Sequence, residues 1–450
     1  MTPFKLTDEL LEDIRQLIAD EKNGDLQLMM QEFHYADIAE IADELNVEEA
    51  TYLIKLLDSE KTSDILAEMH EDIREAVLKN LTAKEIADEL SELDTDDAAD
   101  IINELPKELV QEVISEIEDR EHAKDIVDLL RYDDDSAGGL MAKELVKVNE
   151  NWTVTTCVKE MRAQAENVTR VHSIYVVDDE GKLKGRLSLK DLLTASSKTH
   201  IKDVYISKVD SVNVNEKGEE VAKVMSKYDL EAIPVVDEIG RLVGRITIDD
   251  IVDVIREEAD KDYQMAAGIS QGVEVNDNIW ILTRARLPWL ILGLLGGLGA
   301  AAIMGGFEEM IAKHAVLFFF TPLIAAMAGN VGVQSSAIIV QGLANDDLKG
   351  SVSSRLVKEM LLALLNGLIL AILLLIFTWI WKGAFATALA ISLSLVVVIV
   401  VAGLIGTFIP LFLHKRNIDP AIATGPFITT SNDIFGILIY FWIAKMILGI

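Results

Sequence analysis

"FITTSNDIFGILIYFWIAK", residues 427–445, decides how this chain folds. The stretch holds one acid, Asp433, and no base before Lys445. A helix needs about 20 apolar residues to cross a hydrocarbon core about 30 Å thick. An ionised side chain near the bilayer centre costs about 2.5–3.5 kcal/mol on insertion scales. Such a residue usually faces a bundle interior or a watery path, where it is functional. The plainer alternatives are a shallow position near the head groups, or a protonated acid.

The rest of the chain weighs those alternatives. Five apolar runs follow Arg286, at 287–306, 315–343, 360–381, 384–413 and 421–449. Each is long enough to span a bilayer. Residues 287–450 carry seven acids and eight bases, so residues 1–286 carry a net charge of −34 against −33 for the whole chain. So acidic a surface repels nucleic-acid phosphates and attracts cations. Cys157 is the only cysteine, which excludes a disulfide framework or a cysteine-built zinc site within one chain. The seven histidines, among them His34, His70, His172 and His314, follow no metal-ligand spacing. No nucleophile–base constellation appears, so an enzyme is not expected.

The start "MTPFKLTDELLEDIRQL" is polar, unlike a signal peptide, so the acidic part is expected in the cytoplasm. Arg284, Arg286, Lys349, Arg355, Lys358, Lys415 and Arg416 flank the spans on one side, Lys313, Lys382 and Lys445 on the other. Basic residues favour the cytoplasmic side, which places the C-terminus outside.

Two spans carry polar groups. The second reads "TPLIAAMAGNVGVQSSAIIVQG", and the fifth opens with "DPAIATGPFITTSND". Their prolines and glycines can interrupt backbone hydrogen bonding and free carbonyls, which membranes tolerate only against protein or water. Close packing through small residues is the alternative for "GNVGVQSS". Oxygen ligands suit hard cations, and one carboxylate with neutral oxygens suits a hydrated magnesium ion. A twofold dimer would pair two Asp433 side chains. Glu359, at the mouth of the third run, is expected to pair with Lys358 or Arg355 or to sit at the surface. Glu308 and Glu309 read as loop acids.

Two internal patterns organise residues 1–286. "DIAEIADELN" (37–46), "EIADELSELD" (85–94) and "DAADIINELP" (97–106) recur, which predicts a superhelical stack of short helices. "VVDDEGKLKGRLSLKDLL" aligns with "VVDEIGRLVGRITIDDIV" as strand, glycine turn, strand and helix start. This duplicated pattern resembles the cystathionine-β-synthase (CBS) module, which works as a pair and often senses adenine nucleotides or ions. "IDDIVDVIREEADKDYQMAAGI" (248–269) follows as an acidic amphipathic helix. Its Asp250, Asp253 and Glu257 share one face, and a divalent cation would relieve their repulsion.

Together, the acidic helical segment, the CBS pair, the acidic helix, "AGNVGVQS" and "TTSNDIFG" resemble the MgtE family of magnesium channels over essentially the whole chain. The resemblance implies a multidomain membrane protein. An acidic helical domain would occupy residues 1–130, CBS modules 131–200 and 201–258, a connecting plug helix 248–284, and five spans 285–450. It implies a homodimer in the lipid bilayer, with an ion path lined by Asp433, Asn330, Gly329, Gln334 and Thr429. It implies regulatory magnesium sites at Asp64, Asp96, Asp100, Gly139, Glu219, Asp229, Asp250, Asp253, Glu258 and Asp262. Lys217 and Lys261 depart from that pattern. Magnesium would enter passively and close the path when abundant inside, and an adenine nucleotide such as ATP could bind the CBS pair as a regulator. The alternatives are a broader transporter of manganese or cobalt, and a membrane-anchored CBS ligand sensor.

Overall fold

A computed structural model describes residues 4–449 apart from 166–167, 169–170, 172, 271, 276, 345–347, 349–350 and 424. His172 and Lys349, named above, lie outside the described residues. The chain forms two compact units, Met1–Ile255 and Arg256–Ile450.

The first unit begins with short helices: α1 (Asp8–Ala19), α2 (Asn23–Gln31), α3 (Tyr35–Asp43), α4 (Val47–Leu56), α5 (Ser59–Glu68), α6 (Glu71–Leu78), α7 (Ala83–Leu90), α8 (Thr95–Glu104), α9 (Lys107–Glu116) and α10 (Arg120–Leu129). Local chemistry starts them. In α4 the Asn46 side chain accepts from Glu49 N at 3.0 Å while the Glu49 carboxylate accepts from Asn46 N. Thr82 and Glu85 repeat this reciprocal cap at α7. Each box satisfies two backbone donors that a helix start otherwise leaves open.

The helices stack as a solenoid, in which α3 packs on α5, α5 on α7, α7 on α9 and α8 on α10. Polar contacts recur about thirty residues apart. Gln27 donates to the Leu56 carbonyl, Lys55 to Glu85, Ser59 to Glu89, and Arg74 to Glu104. Such a period marks one two-helix repeat meeting the next. The predicted superhelical stack is therefore present.

Each CBS module adds an element the repeat did not reveal. In the first, β1 (Val146–Asn149) lies parallel to β2 (Ile174–Val177), which is antiparallel to β3 (Leu183–Leu187); α11 (Val154–Ala165) and α12 (Leu189–Thr194) flank them. In the second, β4 (Val212–Asn213), β5 (Ala232–Val236) and β6 (Leu242–Thr247) repeat that order around α13 (Gly218–Tyr228). The leading parallel strands escaped the reading because β4 is two residues long. Gly181 and Gly240 turn the hairpins at φ +80° and +83°, where a side chain would be strained. The two turns also meet: Leu183 N donates to Gly240 O and Leu242 N to Gly181 O, both at 3.0 Å. The duplication thus closes on itself as a pseudo-twofold pair.

The helical stack and the second module share one core, running from Ile14 through Ile101 to Ile233, Ile246 and Ile251. The first module keeps its own, around Val148, Cys157 and Val176. Helix α14 (Ile248–Ala266) leaves the second module.

The second unit holds α15 (Ile279–Gly305), the short α16 (Glu308–Lys313), α17 (Ala315–Ala344), α18 (Val352–Lys382), α19 (Phe385–His414) and α20 (Gly425–Leu448). Five of these are long and apolar enough to cross a membrane. Helix α19, with mean hydropathy 3.0, is the most buried and packs against α17, α18 and α20. Helix α15 packs chiefly on α20.

Two expectations need correction. Proline and glycine do not break the second and fifth spans. Pro322 sits within a continuous α17, and Pro426 falls in the first turn of α20, where no helical N–H is lost. The glycines serve close packing instead. A Cβ on Gly406 would strike the Gly332 backbone, and one on Gly332 would strike Asn432 and Ile428. Second, Glu359, half-buried two turns into α18, finds a partner other than the bases expected for it. Among the described residues no ion pair joins it to Lys358 or Arg355. Ser335 Oγ instead donates to its Oε1 at 2.6 Å.

Candidate ion path and acidic cluster

Asp433 lies two turns into α20 and is half-buried. Among the described residues no side chain or backbone group bonds to it. Its neighbour Asn432 is 1% exposed and holds α20 against α17 by donating from Nδ2 to the Ala328 carbonyl at 3.2 Å. The Asn432 Oδ1 is buried without a hydrogen-bond partner. Successive helical residues point about 100° apart, so Asn432 faces the contact and Asp433 turns aside from it.

Thr429 stands one turn before Asp433 on the same face. A Cβ on Gly329 would lie 3.6 Å from Thr429 Cγ2, an ordinary contact distance, so Gly329 of α17 faces Thr429 of α20. Asn330 and Gln334 are exposed one turn apart on α17. Thr430 and Ser431 instead line a groove of about 250 Å³ with Leu292, Leu295 and Gly296 of α15. Polar amides and a carboxylate thus sit on a membrane-spanning surface that the chain itself leaves open. Membrane depth tolerates such groups only against protein or water.

In the other unit, acids gather where α8 meets the start of α14. Asp96, Asp97 and Asp100 of α8 share an electrostatic neighbourhood with Asp250, joined by Asp94, Asp134, Glu144 and Asp249. Burial raises the Asp96 carboxyl well above its usual range, and Asp97 and Asp250 reinforce it. Asp97 and Asp100 keep open edges, yet packed atoms and neighbouring acids push each up to about 7, with Asp250 the leading charge at Asp97 and Asp134 at Asp100. Asp250 is also raised by burial, against two bonds from Thr247 that favour its charge. Those bonds, to Thr247 N at 3.0 Å and Oγ1 at 2.6 Å, make Asp250 the clasp of the α14 start. Tyr35 brings Asp64 into the group: burial raises its hydroxyl first, then Glu68, Asp64, Asp249 and Asp97.

Among the described residues Arg74 tempers this charge at Asp100 and Arg245 at Asp250. Arg245, 5% exposed, lies 3.1 Å from Asp94 and donates from Nε to the Glu144 carbonyl. Glu144 also accepts from Thr95 N and Oγ1 at the start of α8. Hard carboxylate oxygens are the donor set that magnesium takes. Among the described residues, no three of these acids bring one oxygen each within 4.8 Å of one another. The cluster fits ions that keep water between metal and carboxylate.

The other predicted residues are scattered. Glu219 is paired with Lys223 at 2.7 Å. Asp229 caps α13 in the left-handed region at φ 50°. Gly139 packs where a Cβ would meet the backbone of Asp133 and Asp134. Asp253 is exposed on α14. Glu258 lies 2.8 Å from Lys261, so one of the two departing lysines satisfies a predicted ligand, while Asp262 is half-buried. Sequence reading took Asn432 as one of the polar groups of the fifth run and missed Asp94, Asp97 and Arg245. Asp97 sat in the quoted repeat, but nothing in a linear pattern announces Arg245, 151 residues from its partner.

Comparison with known proteins names this combination. Residues 321–443 match the family described as MgtE, divalent cation transporter; residues 33–135 match the MgtE intracellular N domain; residues 137–198 and 201–257 match the CBS domain. The magnesium transporter MgtE of Bacillus subtilis is 33% identical across 97% of this chain and 97% of its own length. The chain belongs to the MgtE family. The magnesium transporter MgtE of Thermus thermophilus is also 33% identical, across 98% of this chain and 99% of its own. The crystal structure of the cytosolic domain of the Mg2+ channel MgtE in complex with ATP matches with TM-score 0.50 and 34% identity, covering 54% of this chain and 99% of that one. This MgtE chain is therefore a multi-pass membrane transporter rather than an enzyme, with an intracellular N domain and a CBS pair.

Proposed function

We propose that this chain is a homodimeric magnesium channel whose path runs past Asp433 and closes when internal magnesium is high. The observation that carries the reading is Asp433, a membrane-span carboxylate with no bonded partner among the described residues, on a helix fixed by the adjacent Asn432. Asn330, Gly329, Gln334 and Thr429 complete the polar surface, and Asn330 and Gln334 are exposed as residues that meet a second copy or water would be. Magnesium sheds its waters reluctantly, so one carboxylate per chain and neutral oxygens suit its hydrated form. A negative-inside potential supplies about 2.3 kcal/mol per charge per 100 mV, enough for passive entry. The C-terminus then lies outside.

Sensing belongs to the acidic cluster. Asp96, Asp100 and Asp250, with Asp97 and Asp64 beside them, would hold magnesium that neutralises their repulsion. Such ions favour one arrangement of the cytoplasmic domains, as ligand-driven switching requires. Gly139, Glu219, Asp229, Asp253, Glu258 and Asp262 are the further regulatory residues; Lys223 and Lys261 compete for Glu219 and Glu258. The related cytosolic domain was solved with ATP, and an adenine nucleotide at the CBS pair here would act as a regulator.

The family description, divalent cation transporter, keeps manganese and cobalt as a second reading. Liposomes bearing the full chain and an internal magnesium dye test the proposal. Influx that falls as magnesium rises on the cytoplasmic face supports a gated channel. No influx at any concentration leaves only a membrane-anchored sensor. Influx indifferent to cytoplasmic magnesium removes the gating.

A further inference from the structure

Glu359 is a second acid within the spans, and the ion path above does not use it. It lies about 10 Å along α18 from its start, at 1.5 Å per residue. The most apolar 18 residues of that helix have mean hydropathy 2.9, and Glu359 adjoins them. No base pairs with Glu359 among the described residues, and its one hydrogen bond there comes from Ser335. An ionised carboxylate in such a setting must be held by strong bonds or it destabilises the bundle.

The seat for it is built from three helices. Ser335 of α17, 5% exposed, has Oγ 2.6 Å from Glu359 Oε1 and 2.9 Å from the Val331 carbonyl. The hydroxyl has one proton, and a charged acceptor makes the stronger bond. Gly403 of α19 lies beneath: a Cβ there would come 2.9 Å from Glu359 Oε1 and 3.4 Å from Ala363. One turn along, Gly406 meets Gly332, and Gly332 meets Asn432 beside Asp433. Ser335 also adjoins Gln334 in sequence, on the helix that carries Asn330.

We propose that Glu359 is a positioning residue for transport: by accepting from Ser335 over Gly403 it fixes the rotation of α17, and so the direction in which Gln334 and Asn330 point. Asn432 and Tyr440 already tie α17 to α20, at the Ala328 and Leu317 carbonyls, and the Ser335–Glu359 bond adds the tie to α18. The inference rests on the proposed ion path.

Initial magnesium uptake by the full chain in dye-loaded liposomes tests it through a double-mutant cycle. Glu359→Ala and Ser335→Ala should each slow uptake about tenfold, the size expected for one lost charge-assisted bond. The double variant should be no slower than the worse single, because both remove one interaction. Glu359→Gln keeps an acceptor for Ser335 and should stay within about twofold of the parent. Slowing that multiplies in the double variant overturns the proposal. So does failure of Glu359→Gln alongside a normal Ser335→Ala, because charge and not the bond would then matter. Thermal unfolding is recorded in parallel; if Glu359→Ala does not fold, Ser335→Ala and Glu359→Gln decide. A parent chain that carries no magnesium overturns the transport reading instead.

Discussion

Asn432 Nδ2 donates to the Ala328 carbonyl oxygen across 3.2 Å, and with Tyr440 Oη on the Leu317 carbonyl it ties the helix of the membrane acid to the helix of the exposed amides. Asn432 and Asp433 look alike in sequence. In the fold one is a buried fastener and the other an open charge.

Asn432→Ala should therefore destabilise the membrane unit. Losing this buried hydrogen bond and the packing of the amide costs about 1 kcal/mol, the Ala328 carbonyl keeping its helical partner. The unfolding temperature of the full chain in detergent should drop, and Asn432→Asp should drop it further by placing a charge in the same seat. An unchanged temperature for both would remove the fastener role.

Gly332→Ala and Gly406→Ala should each disturb the crossing of α17, α19 and α20. The added methyl meets Asn432 and Ile428 in one case and the Gly332 backbone in the other. Overpacking of this kind costs about 1–3 kcal/mol. Gly297→Ala, where nothing stands within 4 Å, should leave unfolding unmoved and serves as the comparison.

Much of this was legible in advance. The five spans, the stacked short helices and the duplicated CBS module follow from hydropathy and repetition, which are properties of the chain's own order. Span edges were not. The helix of the third span starts at Val352, ahead of the apolar run, where Ser351 caps its opening turn, and Glu359 bonds Ser335 rather than Lys358 or Arg355. Partners distant in sequence, such as Arg245 with Asp94, depend on tertiary packing that no local pattern encodes. Proline and glycine in the second and fifth runs suggested broken helices; neighbouring helices at touching distance instead made glycine a contact residue.

The acidic cluster predicts a pH dependence. Asp97 and Asp100 titrate at about 7 in the folded chain, against 3.8 for an ordinary aspartate. Folding therefore takes up protons between those values, so stability falls as pH rises from about 4 through 7 and stays low above. In chelator the cytoplasmic unit should melt at a lower temperature at pH 8 than at pH 5. Magnesium should restore it at pH 8 and do little at pH 5. Asp97→Asn with Asp100→Asn should flatten the slope. A melting temperature that rises with pH in chelator would contradict the cluster.

Arg245→Met should unfold or loosen the junction of α8 with the second CBS module. The variant leaves Asp94 and the Glu144 carbonyl without their buried cation, and breaking such a pair costs about 3–5 kcal/mol. Limited proteolysis should cut near the α8 start sooner than in the parent. Equal cutting rates would show that Arg245 does not hold the junction.

The central claim is that the Asp433 charge draws the divalent ion into the membrane. Magnesium current through the full chain in planar bilayers, at low cytoplasmic magnesium, tests it most directly by comparing the parent with Asp433→Asn. The side chain keeps its size and loses its charge. The account predicts that the current is lost while unfolding temperature is kept. Undiminished magnesium current in Asp433→Asn would contradict it.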